Sequence, residues 1–185
     1  MSGIGHNRGP SLQAGAGFRR VAWQRARNDL MPTLPLQVVR LRVARAKRLG
    51  LPYKTYATIR AVSGRDIVGF LFSSNALGMR RDARMSDPVR DRLITLDGQA
   101  ARLAALHAPI AISNLPEVLD HAARAPGLFT PWRETRDTLR GLARDAHAVP
   151  DGVVVVAATA LEREWAVHGD FAGVLDPDVI FAPGH

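Results

Sequence analysis

The amino-acid sequence predicts an α/β protein built on a small Rossmann-like parallel sheet of about three or four strands with helical cover. Two nearly continuous apolar runs, at 66–73 and 152–158, are typical of strands buried on both faces of a sheet. Helical patterns alternate with such runs, as in parallel sheets. A basic segment of three predicted helices precedes them. We therefore divide the chain into a lead-in (1–16), a basic helical module (17–65) and a Rossmann-like domain (66–185).

The N-terminal elements are predicted from the positions of Gly and Pro residues and from the spacing of apolar residues. The Gly- and Pro-containing lead-in lacks periodicity and is predicted to be disordered. Helices are predicted at about 18–31, 35–49 and 53–63, the last ending at Gly64 in a left-handed cap. The spacing of apolar residues on the second helix predicts a buried face of Leu36, Val39, Val43 and Ala46.

The elements of the Rossmann-like domain are predicted in the same way. After the strand at 66–73 we expect, in order, a polar surface excursion with a short element (80–98), a helix (99–107), a strand (108–112), a helix (114–124), a helix (130–146), the strand at 152–158, a helix (159–169) and a strand (177–181). Two of the helices begin at capping-box patterns, Asn114 with Glu117 and Thr159 with Glu162.

The positive charge is concentrated at one end of the chain. Residues 1–65 hold 13 Lys or Arg and one acid, whereas residues 66–185 hold 12 basic and 16 acidic residues. Such asymmetry is typical of a segment that meets a polyanion. Two other interpretations stay open: 23 of the 25 basic residues are Arg, which fits genome-wide codon bias, and an Arg-rich, acid-poor start also fits a transit peptide.

Composition excludes several classes of protein and site. The chain has no cysteine, which removes disulfides, thiolate nucleophiles and cysteine-ligated metals. No apolar run approaches the roughly 20 residues that span a bilayer, and the first ten residues lack the apolar core of a secretory signal. We therefore predict a cytoplasmic protein that has no membrane partner and needs no cofactor.

One stretch of the basic module carries a resemblance to a known motif. Residues 42–61 place Ala46 at a helix crossing, Gly50 in a turn between Leu49 and Leu51, and Ile59 as an anchor of the second helix. This stretch resembles the helix-turn-helix family of DNA-binding motifs. Arg45 departs from the family pattern, which usually has an apolar residue there, and Tyr56 is larger than usual at its position. The other interpretation is a helical cap that packs on the sheet.

The resemblance implies a set of contacts with nucleic acid, DNA more than RNA. Residues expected to face a major groove are Lys54, Thr58 and Arg60, and those expected to touch phosphates are Arg40, Arg42, Lys47 and Arg48. Non-catalytic, regulatory binding of nucleic acid is thus the leading hypothesis. A homodimer and an acidic protein partner remain open alternatives.

Small polar residues at predicted strand ends form the basis of a second hypothesis. In open parallel sheets, ligands bind beyond the carboxyl ends of the strands. Here Ser73, Ser74, Asn75 and Asn114 stand at such ends and suit a small anionic ligand, although Asn114 also suits helix capping. No predicted strand ends in Asp or Glu, and no Gly-rich phosphate or dinucleotide motif occurs. We therefore assign no catalytic residue and no metal ligand, and the alternative to nucleic-acid binding is a small-molecule- or nucleotide-binding enzyme.

Overall fold

A computed structural model describes residues 34–79, 81 and 83–182 of the chain. The chain divides into two compact units, residues 1–39 and residues 40–185. The predicted lead-in and the predicted helix at 18–31 lie outside the described residues. Among the residues described, no helix is both long and apolar enough to cross a membrane.

The described residues form a parallel sheet and its covering helices. The strands are β1 (Gly69–Ser73), β2 (Ala101–Leu106), β3 (His121–Arg124), β4 (Val153–Val156) and β5 (Gly173–Leu175). The α-helices are α1 (Leu36–Arg48), α2 (Tyr53–Ser63), α3 (Asp87–Thr95), α4 (Trp132–Asp145), α5 (Ala160–Arg163), α6 (Trp165–Gly169) and α7 (Pro177–Phe181). Short 3₁₀ turns cover Ile112–Asn114 and Pro150–Gly152.

The strand order identifies the type of sheet. The order is β3-β2-β1-β4-β5, and every neighbouring pair is parallel. This is the order of the doubly wound Rossmann-type sheet without its sixth strand. The chain adds β2 and β3 on one side of β1 and then β4 and β5 on the other side, so the strand order switches between β1 and β4. The predicted fold class is confirmed, with five strands where three or four were expected.

Helices cover both faces of the sheet because its central strands are apolar on both sides. Phe70 and Phe72 of β1 pack in one core, with residues of α1, α2, α3 and α7. Leu71, between them, packs in the second core, with residues of α4 and α6. Side chains alternate across a strand, so one apolar run supplies two cores.

Four element assignments from the sequence are wrong. Residues 101–106 form strand β2 instead of a helix, and residues 121–124 form β3 instead of a helix end. Both segments contain Ala and Arg, and 101–106 also contains Leu, all of which favour helices in isolation, but pairing with a neighbouring strand overrides that preference. The predicted strand at 177–181 is helix α7, which starts with Pro177 at its first position.

The predicted strand at 108–112 is likewise not observed. These residues form the loop after β2, and the peptide bond between Ala108 and Pro109 in that loop is cis. The helices predicted at 35–49, 53–63 and 130–146 are present as α1, α2 and α4.

Helices α1 and α2 meet at a tight turn and pack on the sheet. Gly50 in the turn has φ +59°, a left-handed conformation, as the sequence predicted. Ala46, Leu49, Leu51 and Ile59 are buried in the core that contains Phe70 and Phe72. The predicted apolar face of α1 is rotated, however, because Leu36 and Val43 are exposed.

Arginines on α1 and α3 explain that rotation. The guanidinium of Arg45 donates to the Asp66 carboxylate (3.0 Å) and to the carbonyl oxygens of Ile67 (2.8 Å) and Gln99 (3.0 Å). Arg92 donates to the carbonyl oxygens of Leu49 (2.6 Å) and Ile180 (3.0 Å). The side of α1 that carries Arg45 therefore faces the sheet.

A third arginine lies within the sheet itself. Arg102 on β2 is buried, and its guanidinium pairs with the carboxylates of Asp120 (2.6 Å) and Asp97 (2.7 Å). Burial by itself would raise the pKa of Asp120, but the hydrogen bonds and charge of Arg102 outweigh burial and hold that pKa below its usual value.

Replacing Gly50 by Ala should destabilise the protein for two reasons. First, a left-handed backbone conformation costs a non-Gly residue about 1–2 kcal/mol of conformational free energy. Second, a Cβ at this position would lie 1.8 Å from Nη2 of Arg92. Displacing Arg92 should lower the free energy of unfolding by about 1–3 kcal/mol more. The matched control is Gly64→Ala, since Gly64 has φ +72° and open space around it. Equal urea midpoints for the two variants would contradict the proposed contact.

Candidate functional site

The loops after β1, β2 and β4 converge at the carboxyl edge of the sheet. Ser73 ends β1, is fully buried, and accepts a hydrogen bond on Oγ from the Ala76 N–H (2.9 Å). The backbone N–H of Ser74 donates to the Ala105 carbonyl oxygen of β2 (3.0 Å). Ser73 thus closes the turn after β1, and Ser74 joins that turn to the neighbouring strand.

Ser74 also fixes the imidazole of His107, the first residue after β2. Its Oγ accepts from the His107 backbone N–H (3.1 Å) and lies 2.9 Å from Nδ1 of the ring. When the Ser74 hydroxyl donates to Nδ1, the neutral ring carries its proton on Nε2. Because Ser74 is 1% exposed and engaged twice, it is a positioning residue and not a nucleophile.

A buried carboxylate connects the loops after β1 and β4. Glu162 is fully buried and accepts hydrogen bonds from the Asn75 side-chain amide (2.7 Å) and the N–H groups of Ala158 (2.8 Å) and Thr159 (2.9 Å). The predicted capping box is present, since the Thr159 hydroxyl also accepts from the Glu162 N–H. One carboxylate oxygen of Glu162 therefore caps helix α5, while the other binds the loop after β1.

The imidazole of His107 is held on three sides. Its Nε2 lies 3.8 Å from the Glu162 carboxylate, which is an ion-pair distance and too long for a hydrogen bond. Its ring stacks on Trp165 with the centroids 5.7 Å apart and the planes 24° apart. The His107 side chain is nevertheless 29% exposed, so a fixed imidazole edge reaches solvent.

Two clefts open at this edge, and His107 lines both. The β1–β2 cleft has a volume of about 580 Å³ and is lined by Ser74, Asn75, Met79, Arg81, His107, Ala108, Pro109 and Ile110. The β2–β3 cleft has a volume of about 570 Å³ and is lined by His107, Ala108, Arg124, Ala125, Gly127, Thr130, Glu134 and Thr138. Among the described residues, Arg81 lines the β1–β2 cleft, and Arg124 and the carboxylate of Glu134 line the β2–β3 cleft.

The clefts lie beside the place where Rossmann-type sheets usually bind ligands. That place is the gap between β1 and β4, where the strand order reverses. Here the hydrogen bond from Asn75 to Glu162 joins the loops on either side of the gap. The open volume adjoins the loops after β1, β2 and β3 instead.

The structure does not test whether the strand-end residues predicted from the sequence bind a ligand. Ser74 and Asn75 line the β1–β2 cleft, Ser73 is fully buried in the turn after β1, and the side chain of Asn114 lies outside the part of the chain that the structure describes. Sequence reasoning missed His107, because β2 was predicted as a helix. A correct β2 would have placed His107 directly after a strand, at the same edge as Ser73. It also missed the second role of Glu162, which was attributed to capping alone.

The predicted nucleic-acid-binding residues do not share one face. Arg40, Lys47 and Arg48 are exposed on one side of α1, within about 100° of one another around its axis. Arg42 lies on the far side, half-buried, and its Nε has no hydrogen-bond partner among the described residues. A polyanion could therefore reach only three of these four side chains on one surface.

The three predicted groove-facing residues of α2 also differ in their surroundings. Lys54 and Thr58 are exposed, and the Thr58 hydroxyl donates to the Lys54 carbonyl oxygen (2.9 Å). Arg60 is half-buried and forms an ion pair with Asp66 (3.6 Å).

Comparison of the chain with models of protein families, with curated proteins and with solved structures finds no match. The arrangement of side chains at the strand ends and on helix α1 is therefore the basis for a functional assignment. Among the described residues, no group of three or more His, Cys, Asp or Glu side chains could hold a metal ion. The described groups at the strand ends are imidazole, guanidinium, amide, hydroxyl and carboxylate groups.

Glu162→Gln should destabilise the fold. A glutamine amide must turn its NH₂ group toward either the Asn75 amide or the backbone N–H groups, so the buried side chain loses the negative charge and at least one of its charge-assisted hydrogen bonds. We expect the free energy of unfolding to fall on the order of 3 kcal/mol, measured by urea denaturation. The control is Glu164→Gln, an exposed neighbour, with an expected change within about 0.5 kcal/mol. An unchanged midpoint for Glu162→Gln would show that this carboxylate does not hold the loops.

Proposed function

We propose that this protein binds a small phosphorylated molecule in the two adjoining clefts at the carboxyl edge of its sheet. The observation that carries the proposal is the fixed imidazole of His107, whose solvent-facing edge is shared by a cleft containing Arg81 and a cleft containing Arg124. Cleft volumes near 570 Å³ fall within the range of about 300–1,000 Å³ that is typical of small-molecule sites.

The charge at this edge favours an anion. Arg81 and Arg124 are both exposed, and Nη1 of Arg124 donates to the Ile110 carbonyl oxygen (3.3 Å), which steadies the guanidinium. A guanidinium has five N–H donors in a planar fork that matches phosphate oxygens, so Arg124 retains donors for a ligand. His107 lines both clefts, and its imidazole adds an N–H donor when the ring proton is on Nε2. Glu134 opposes an anion, but it is exposed and therefore well screened.

The same geometry suits proton transfer to a bound ligand. Imidazole is the most common general acid–base group in enzymes, and an orienting partner on Nδ1 is the usual way to fix its tautomer. Ser74 provides that partner at 2.9 Å. If the bound molecule is turned over, His107 is the residue that we expect to exchange the proton.

Binding should be measurable as thermal stabilisation. A panel of inorganic phosphate, pyrophosphate, ribose 5-phosphate and nucleotides should include a compound that stabilises the fold by about 2.7 kcal/mol at 100 times its Kd. Arg124→Gln and His107→Asn should each weaken binding about tenfold in calorimetry, because each loses a charge-assisted or neutral donor to phosphate.

The control for those variants is Arg90→Gln on α3, an exposed arginine that does not line either cleft. It should bind like the parent protein. Melting temperatures that stay flat across the whole panel would overturn the proposal.

Nucleic-acid binding by α1 and α2 is the second candidate function. It is supported by the three exposed cations of α1 (Arg40, Lys47 and Arg48) and by the turn at Gly50, which agrees with the helix-turn-helix resemblance. The use of Arg45 and Arg60 in ion pairs with Asp66 reduces the charge available to a duplex. The ligand site at the strand ends is therefore the better supported of the two functions.

Triple replacement of Arg40, Lys47 and Arg48 by Gln tests that second function. If these residues contact phosphates of duplex DNA, the slope of log K against log salt should fall in magnitude by about 2.7. Arg42→Gln is the matched control, since the half-buried Arg42 should contribute little to the slope. Equal salt dependence of the parent and the triple variant in fluorescence anisotropy would rule out this surface.

A further inference from the structure

A tight turn after β3 presents two large apolar side chains to solvent. Leu128 is 69% exposed and Phe129 is 93% exposed, and they are adjacent at the tip of the turn. Single exposed apolar residues are common on protein surfaces, whereas two adjacent ones form a small apolar patch that a ligand or partner can cover.

The backbone holds this tip in place. The Thr130 N–H donates to the Gly127 carbonyl oxygen (3.1 Å), and the Thr130 hydroxyl accepts from the Gly127 N–H (2.8 Å). Pro126 and Pro131 flank the turn, and the fixed φ of proline limits its freedom further. Phe129 is therefore presented on an ordered support.

The base of the turn forms part of the β2–β3 cleft. Gly127 and Thr130, the two residues that close the turn, line the cleft together with His107 and Arg124. Phe129 is thus an exposed aromatic residue directly adjacent in the chain to Thr130, which lines the same cleft as His107 and Arg124.

The other exposed aromatic residue nearby is already engaged. The Trp132 ring lies 5.1 Å from the Arg136 guanidinium and meets the His168 ring edge-on at 6.4 Å. No ring or cation contact is observed for Phe129 among the described residues. Phe129 is therefore the aromatic side chain available to an incoming ligand.

We propose that the ligand of the strand-end site is a nucleoside phosphate, whose base stacks on Phe129 while its phosphate binds beside Arg124 and His107. This inference rests on the proposed function and specifies that the phosphorylated ligand also carries a nucleobase. Every nucleobase has a π face that can stack on an aromatic side chain, and Leu128 adds apolar contact at the edge of the ring. The apolar residues Leu128 and Phe129 suit the base of such a molecule, and the donors of the β2–β3 cleft suit its phosphate.

The test compares a phosphate with and without a base. Calorimetry with adenosine, guanosine, cytidine and uridine 5′-monophosphates and with ribose 5-phosphate should show at least one nucleotide that binds roughly tenfold more tightly than the sugar phosphate. Phe129→Ala should remove that preference and leave the Kd of ribose 5-phosphate unchanged, whereas Phe129→Trp should keep it. Val62→Ala, which truncates another exposed apolar residue on α2, is the control and should retain the full preference.

The outcomes separate this inference from the proposed function. If ribose 5-phosphate and the nucleotides bind equally well, or if Phe129→Ala keeps the preference, the stacking role is wrong while the phosphate site stands. If Phe129→Ala instead converts a dimer to a monomer in analytical ultracentrifugation without changing nucleotide affinity, the tip is a self-association surface and the inference is overturned. If no phosphate compound binds, the proposed function itself fails and this inference fails with it.

Discussion

The carboxyl edge of the sheet depends on the burial of one carboxylate. A charged group that is removed from water is tolerated only when donors replace its hydration. Glu162 meets this requirement with the Asn75 amide and two backbone N–H groups of the loop after β4. These donors come from different parts of the chain, so satisfying the carboxylate fixes two loops at once. His107 lies beside these two loops, with its Nε2 3.8 Å from the Glu162 carboxylate and its ring stacked on Trp165.

The same requirement explains the contacts of three arginines. Arg45, Arg92 and Arg102 each donate to carbonyl or carboxylate oxygens of other elements. Guanidinium groups suit this use because their five donors satisfy several acceptors at once. From the sequence alone, the arginine excess indicates a polyanion partner. In the structure, these three arginines instead hydrogen-bond one element of the fold to another. Arg40, Lys47 and Arg48 differ, since they are exposed on one side of α1.

The site combines fixed and accessible groups. Ser74 and Glu162 are buried and fully engaged, so they set the orientation of His107. Arg81, Arg124 and the edge of His107 reach the clefts and remain available to a ligand. Such a division is expected of a binding site, because preorganised groups need less ordering when the ligand arrives. Phe129 is likewise both accessible and fixed, since its side chain is exposed while the backbone of its turn is hydrogen-bonded.

The sequence by itself determined the fold class, the two central strands and the helix at 132–145, because long apolar runs and strong helical periodicity survive any tertiary context. It also placed Ser73, Ser74 and Asn75 at a strand end. Only the tertiary structure decided that residues 101–106 and 121–124 are strands, since their Ala-rich sequences become extended by pairing with β1 and β2. It alone joined His107 and Glu162, which are 55 positions apart in the chain. Local patterns report the neighbours of a residue along the chain, whereas a site at the edge of a parallel sheet is made by crossovers that bring distant strand ends together.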